Sequence, residues 1–198
     1  MTGRPGIAES AQTDAALLAA SARREAAAFA ELVNRYYKPV YRVVWRMTGG
    51  HADSEDIAQE AFVKLWRDPS QVREAGALKG WLMRVASNAV IDRSRKPKHS
   101  DIDAALDLSD PKAQTDGPLD RSQAARLVDG RIADLPERQR LALTLVYFEG
   151  LSNIEAAAVM DVSVEAIESL LSRARRSLKE SLSSGWRELL DGLMSPGS

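Results

Sequence analysis

Between Ser152 and Val164 the chain reads Ser152-Asn153-Ile154-Glu155-Ala156-Ala157-Ala158-Val159-Met160-Asp161-Val162-Ser163-Val164. A serine followed three residues later by glutamate is a capping box, in which each side chain satisfies an amide that a helix start leaves unpaired. The spacing predicts a short helix from here to about Met160. Asp161-Val162 makes a tight turn, because aspartate tolerates left-handed backbone better than most residues. Ser163 can cap a longer helix over Val164 to Glu180. Short helix, turn and longer helix make a helix-turn-helix. Such a pair needs small residues where its helices cross, and Ala156, Ala157 and Ala158 supply them. It also needs an apolar face under the second helix, and Ile167, Leu171, Ala174 and Leu178 recur at helical spacing. The opposite face carries Ser169, Ser172, Arg173, Arg176 and Lys179, which can meet phosphates and base edges. A structural hairpin with a solvated basic face is the alternative. Glu165 and Glu168 favour it, since they repel phosphate, although they also suit a positive helix N-terminus.

Upstream, Leu135-Pro136-Glu137 puts proline at a helix start, where its missing N–H costs nothing. That helix is predicted to run through Leu141, Leu145 and Val146 to Glu149 and to stop at Gly150. Another precedes it, Ala124 to Ala133. Residues 98–121 hold six aspartates with Pro111, Gly117 and Pro118 and no aromatic, which reads as a flexible acidic linker. Ile102, Leu106 and Leu108 allow it one transient docking turn.

The segment before the linker holds eight of the eleven aromatics, from Phe29 to Trp81, and predicts one compact core. Four helices are expected. They are Ala15 to Ala22; Ala26 to about Met47, kinked or broken at Pro39 and ended by Gly49-Gly50; Asp53 to Arg67, with Asp53 as N-cap; and Leu78 to Ser94. Residues 1–13 read as a disordered tail, and 183–198 as a short tail with one or two amphipathic turns around Trp186, Leu189, Leu190 and Leu193. The fold class is all-α: two small helical domains, 14–97 and 123–182, joined by a linker over 98–122.

Composition narrows the function. The chain has 198 residues, 44% of them hydrophobic and 28% charged, with a net charge of −1. No cysteine is present, which excludes disulfides, thiolate catalysis and cysteine–zinc sites. Two distant histidines, His51 and His99, make a histidine-rich metal site an unsupported reading, so no metal or cofactor is expected. No apolar run approaches the ~18–20 residues of a membrane span, and no secretory h-region opens the chain. A soluble cytoplasmic protein is the expectation.

Charge segregation is more informative than net charge. Arg84, Arg93, Arg95, Lys96 and Lys98 cluster around one acid, Asp92, with Asn88 among them and Trp81 at the helix start. A basic helix with an amide side chain fits nucleic acid, and an aromatic nearby can stack on an unpaired base. Core packing is the more ordinary role for Trp81. The preceding helix exposes Asp53, Glu55, Asp56, Gln59 and Glu60. That acidic patch suits a basic protein surface; a dipole-compensating first turn and a carboxylate metal site are the alternatives.

Together these stretches resemble a known family. Asp53-Ser54-Glu55-Asp56-Ile57-Ala58-Gln59-Glu60-Ala61-Phe62 resembles the polymerase-binding motif of bacterial sigma factors, and Trp81 to Arg95 resembles their promoter-melting and minus-ten recognition helix. Leu135-Pro136-Glu137-Arg138-Gln139-Arg140 and Ser172-Arg173-Ala174-Arg175 resemble the minus-thirty-five domain. The order and length are similar to those of the extracytoplasmic-function, group IV, sigma factors. The resemblance implies that Asp53, Glu55, Asp56, Gln59 and Glu60 dock on the beta-prime clamp helices of core RNA polymerase, with the beta flap as a second contact. It implies that Trp81, Arg84, Asn88, Asp92, Arg93 and Arg95 meet the minus-ten element, with a flipped base held partly by the loop from Pro69 to Lys79. Ser169, Ser172, Arg173 and Arg176 would meet the minus-thirty-five element. Many family members carry Thr, Lys and Arg where this helix has Ala166, Glu168 and Leu170, so two basic positions are lost.

The implied function is promoter-specific initiation by a chain that is a monomer when free, binds core polymerase and promoter DNA, takes no small-molecule substrate and is held inactive by an anti-sigma factor. Any redox sensing would lie in that partner, since this chain has no cysteine. A sigma-like mimic that titrates an anti-sigma factor, and a stand-alone helix-turn-helix regulator, are the competing readings. An enzyme is disfavoured, because no paired acids, histidines or glycine-rich loop form a site.

Overall fold

The computed structural model describes residues 12–95 and 128–194, with side chains over 12–94 and 128–182. The linker and its docking turn, Lys96 and Lys98, residues 1–11 and the start of the helix before Ala133 lie outside the described residues. Among the described residues every element is helical.

The N-terminal group comprises α1 (Asp14–Ala22), α2 (Ala26–Thr48), α3 (Ser54–Arg67), two 3-10 turns (Pro69–Gln71 and Ala75–Ala77) and α4 (Leu78–Arg95). Helices α1, α3 and α4 pack on α2. Pro39 neither breaks nor ends α2. Leu32 and Val40 on either side are fully buried, and such packing outweighs the ~3 kcal/mol an internal proline costs. The helix stops at Gly49, whose φ of 69° is left-handed. At Gly50 (φ 83°) a Cβ would stand 3.0 Å from the Trp45 ring, so glycine is required twice over. Asp53 occupies the N-cap position of α3 but makes no capping bond, contrary to the sequence reading. Ser54 acts instead: its hydroxyl donates to the His51 carbonyl at 2.5 Å and pairs with Thr48 Oγ1 at 2.8 Å.

The core is aliphatic rather than aromatic. Leu32, Val43, Val44, Leu65, Leu78 and Leu82 are fully buried, while Phe29, Tyr36, Tyr37, Tyr41 and Trp81 pack around its edge. Phe62 alone of the eight aromatics lies in the buried core. Leucine and valine, branched at Cγ and Cβ, fill the narrow space between crossing helices, which leaves the larger rings to form a collar.

The C-terminal group contains α5 (128–133), α6 (Glu137–Leu143), a π turn (Thr144–Phe148), α7 (Asn153–Met160) and α8 (Val164–Met194). Pro136 stands at the N-cap of α6 rather than inside it, and its carbonyl accepts from Gln139 and Arg140 N–H. The π turn is unexpected from the apolar spacing. The Glu149 amide reaches back to the Thr144 carbonyl at 3.1 Å, and the widened turn leaves Tyr147 exposed and Glu149 buried. Helix α8 continues to Met194 as one helix, because Ser183-Ser184-Gly185 lowers propensity without removing any backbone donor. Ala156 and Ala157 are buried at the helix crossing, whereas Ala158 faces outward.

Both halves of the capping box form. Ser152 Oγ accepts from the Glu155 amide at 3.2 Å, and Glu155 Oε2 accepts from the Ser152 amide at 2.7 Å. The Ser152 amide and hydroxyl hold the Glu155 carboxyl below its usual range. A depressed carboxyl stabilises the fold above the ordinary glutamate range and loses that contribution as pH falls through the folded value. Ser152→Ala should therefore cost about 1 kcal/mol at neutral pH. Thermal melts of parent and variant should converge as pH falls toward 3; an equal gap at pH 7 and pH 3 would contradict this.

Candidate nucleic-acid and protein interfaces

The acidic patch is real as a surface. Asp53, Glu55, Asp56 and Gln59 are exposed on the first turns of α3, where the helix dipole favours anions. Glu60 differs. It is half-buried and pairs with Lys64 at 3.1 Å and Arg93 at 3.5 Å, and the Lys64 hydrogen bond holds its carboxyl below the usual range. Glu60 thus joins the acidic helix α3 to the basic helix α4.

Beside the patch runs an apolar groove of about 470 Å³ lined by Phe29, Val33, Tyr37, Phe62, Val63 and Trp66, with Gln59 at its edge. Burial pushes the Tyr37 hydroxyl up, and the Glu55 charge adds to it. Val63 is 44% exposed. Sequence reasoning assigned these aromatics to the core and so missed the groove. The signal was the four-residue step Phe29, Val33, Tyr37 facing Phe62 and Trp66.

On α4, Arg84, Asn88 and Asp92 follow at steps of four and are all exposed, so they form one stripe, with Arg93 beside it. Arg95 ends the helix, and its side chain lies outside the described ones. Asn88 and Asp92 face solvent. Arg84 instead meets the C-terminal group: its guanidinium donates to the Ala158 carbonyl of α7. Trp81 packs against the core and lines a cleft of about 420 Å³ with Tyr36, Gly76, Lys79, Arg84 and Val159. The loop before α4 contributes Gly76 and Ala77 to this cleft. Its first turn is pinned by Asp68, which accepts from the Ser70 hydroxyl and amide and so has a lowered pKa.

On α8, Ile167, Leu171 and Ala174 are buried, and Ser169, Ser172, Arg173 and Arg176 are exposed on the outer side. Ser163 caps the helix as expected, accepting from the Ala166 amide at 3.2 Å. Asp161 takes the left-handed turn at φ 53°. Among the described residues no cluster of three acidic, histidine or cysteine side chains could hold a metal, and no helix is long and apolar enough to cross a membrane.

Comparison with known proteins gives a match for each of the two helical groups. Residues 32–99 match the family model for Sigma-70 region 2, and residues 125–178 match that for Sigma-70, region 4. The RNA polymerase sigma-H factor of Pseudomonas aeruginosa is 33% identical over 84% of this chain and 92% of its own length. The ECF RNA polymerase sigma-E factor of Escherichia coli K12 is 32% identical over the same shares. Among solved structures, CnrH in complex with the cytosolic domain of CnrY superposes with a TM-score of 0.66 at 25% identity, over 87% of this chain and 99% of that one. The sigma factor RpoE of Bartonella quintana, in complex with the anti-sigma factor NepR, gives the same TM-score and identity over 78% and 96%.

Proposed function

The chain belongs to the sigma-70 family, among its extracytoplasmic-function members, and from that premise we propose how its two domains divide the work. As a sigma factor it is a transcription regulator that binds core RNA polymerase and promoter DNA and directs initiation, under the restraint of an anti-sigma factor. The observation that carries the reading is the pairing, on one chain and in order, of an exposed acidic patch beside a basic helix with a helix-turn-helix.

Residues 14–97 act as the polymerase-binding and minus-ten domain, and 123–182 as the minus-thirty-five domain. Asp53, Glu55, Asp56 and Gln59 offer a carboxylate-rich face to a basic surface of the polymerase, and the apolar groove beside them adds area that charge alone does not. Glu60 belongs to the same patch by position but serves chiefly to brace α3 against α4 through Arg93. Asn88, Asp92 and Arg93 present amide, carboxylate and guanidinium groups at one helix face, suited to base edges and phosphates. Ser169, Ser172, Arg173 and Arg176 do the same for the upstream element. Polymerase forms the phosphodiester bonds, so this chain supplies recognition and no catalysis, and it works where the polymerase is, in the cytoplasm. The titrating-mimic reading would leave exposed Asn88, Arg93, Arg173 and Arg176 without a task.

The test is the double variant Arg173→Ala with Arg176→Ala. Loss of two phosphate contacts should weaken the promoter complex of the loaded polymerase about tenfold and flatten its logarithmic salt slope by about 1.8. Core binding should be unchanged. An unaltered slope would remove these arginines from the interface.

A further inference from the structure

Arg24 stands in the turn between α1 and α2 at φ 65°, the left-handed region that a residue with a Cβ rarely enters. Glycine would hold that turn without strain. A strained residue persists where its surroundings hold it, and such positions gather at functional surfaces. The neighbouring Arg23 pairs locally with Glu25 at 2.8 Å. Arg24 instead reaches across to α3: its guanidinium donates to the Trp66 carbonyl, and to the Arg67 carbonyl at 3.2 Å. Those carbonyls belong to the last turn of α3, where intrahelical donors run out and the helix dipole is negative. No glycine closes that helix. Its C-cap is Asp68 at φ −145°, whose amide donates to the Lys64 carbonyl. The forked guanidinium supplies donors that the helix end lacks.

The same guanidinium lies 5.3 Å from the centre of the Trp66 ring, within cation–π range. Trp66 also meets Phe29, with ring centres 4.8 Å apart and planes tilted by 53°. Both rings are half-buried, and both line the apolar groove beside the acidic patch. Trp66 lies ~15 Å along α3 from Asp56, at 1.5 Å per residue, so it forms the end of the groove remote from the charges. We propose that Arg24 is a positioning residue for the core-polymerase interface: it fixes the end of α3 and the Trp66 ring, so that the groove is formed before polymerase arrives. The inference rests on the sigma-factor reading and on the groove as part of that interface. A wall ordered in advance spares the cost of immobilising a large side chain on binding.

Arg24→Gly removes the side chain and suits the left-handed turn, so the variant should fold and melt within about 4 °C of the parent. Fluorescence titration with core enzyme should show affinity about fivefold weaker, the effect of having to order one large side chain on binding. Arg23→Ala removes the adjacent charge and should bind as the parent does. The chain has four tryptophans, which can be replaced together by 5-fluorotryptophan. The Trp66 fluorine resonance, assigned by its absence in Trp66→Phe, should shift and broaden in Arg24→Gly, while that of Trp45 stays in place. Weaker binding with the Trp66 resonance unmoved, or with a larger fall in melting temperature, overturns the proposal. So does an equal loss in Arg23→Ala, which would make the effect one of net charge. A parent chain that does not bind core enzyme refutes the sigma-factor reading and the role of Arg24 with it; a parent that binds, with Arg24→Gly as its equal, refutes the role of Arg24 alone.

Discussion

Asp56→Arg should abolish capture of core RNA polymerase and leave the chain folded. Asp56 is exposed in the first turn of α3, beside Glu55 and one turn before Gln59, which edges the apolar groove. Reversing a charge inside a complementary interface costs a desolvated pair and adds a like-charge repulsion, together several kcal/mol. A loss of at least about 100-fold in affinity, about 2.7 kcal/mol, is expected. The fold should lose only the helix-dipole contribution of one surface carboxylate, about 0.3–1 kcal/mol. Glu60→Arg would be a poorer probe, because Glu60 is tied to Lys64 and Arg93 and its loss loosens α3 from α4. Fluorescence titration with core enzyme reads the affinity, and circular dichroism reads the fold. Full binding by a folded Asp56→Arg chain would take the acidic patch out of the interface.

The second large effect concerns stability. Leu82 lies fully buried in α4, on the face opposite the Arg84, Asn88 and Asp92 stripe. Leu82→Ala leaves a cavity under the helix and should cost 2–5 kcal/mol, typical of a buried leucine. For a domain of this size that lowers the melting temperature by roughly 10–20 °C. Promoter preference should survive at low temperature, since no proposed DNA contact is removed, and transcription should fail well below the temperature at which the parent fails. Calorimetry checks the first part; a shift under about 4 °C, the effect of about 1 kcal/mol, would mean that α4 repacks without its leucine.

What the sequence made legible was local. The helix-turn-helix could be read because its signals lie within a few residues of one another: the Ser152–Glu155 box, Asp161 in the left-handed turn, Ser163 at the cap, and Ile167, Leu171 and Ala174 beneath. Each expectation about those residues is met in the structure. The π turn was not legible, because Leu141, Leu145 and Val146 keep a helical rhythm whether the backbone closes on the fourth residue or the fifth. Asp53 looked like a cap because cap preference is statistical, while Ser54 and Thr48 satisfy the turn from the other side. The packing of the two groups was least legible. Arg42 pairs with Glu149 across 107 residues, and Lys79 and Arg84 bind backbone carbonyls of the other group, which no residue type announces. For that reason Arg84 could be placed on the minus-ten helix, but not bonded to α7.

The acidic patch, the α4 stripe and the α8 stripe share one central claim: this chain gives polymerase its choice of promoter. The direct test is transcription in vitro by core RNA polymerase on a library of random promoter sequences, with and without the chain. The account predicts transcripts that depend on the chain and whose templates share two spaced motifs, one near minus ten and one near minus thirty-five. No chain-dependent transcripts, from a chain that also fails to bind core enzyme, would contradict it.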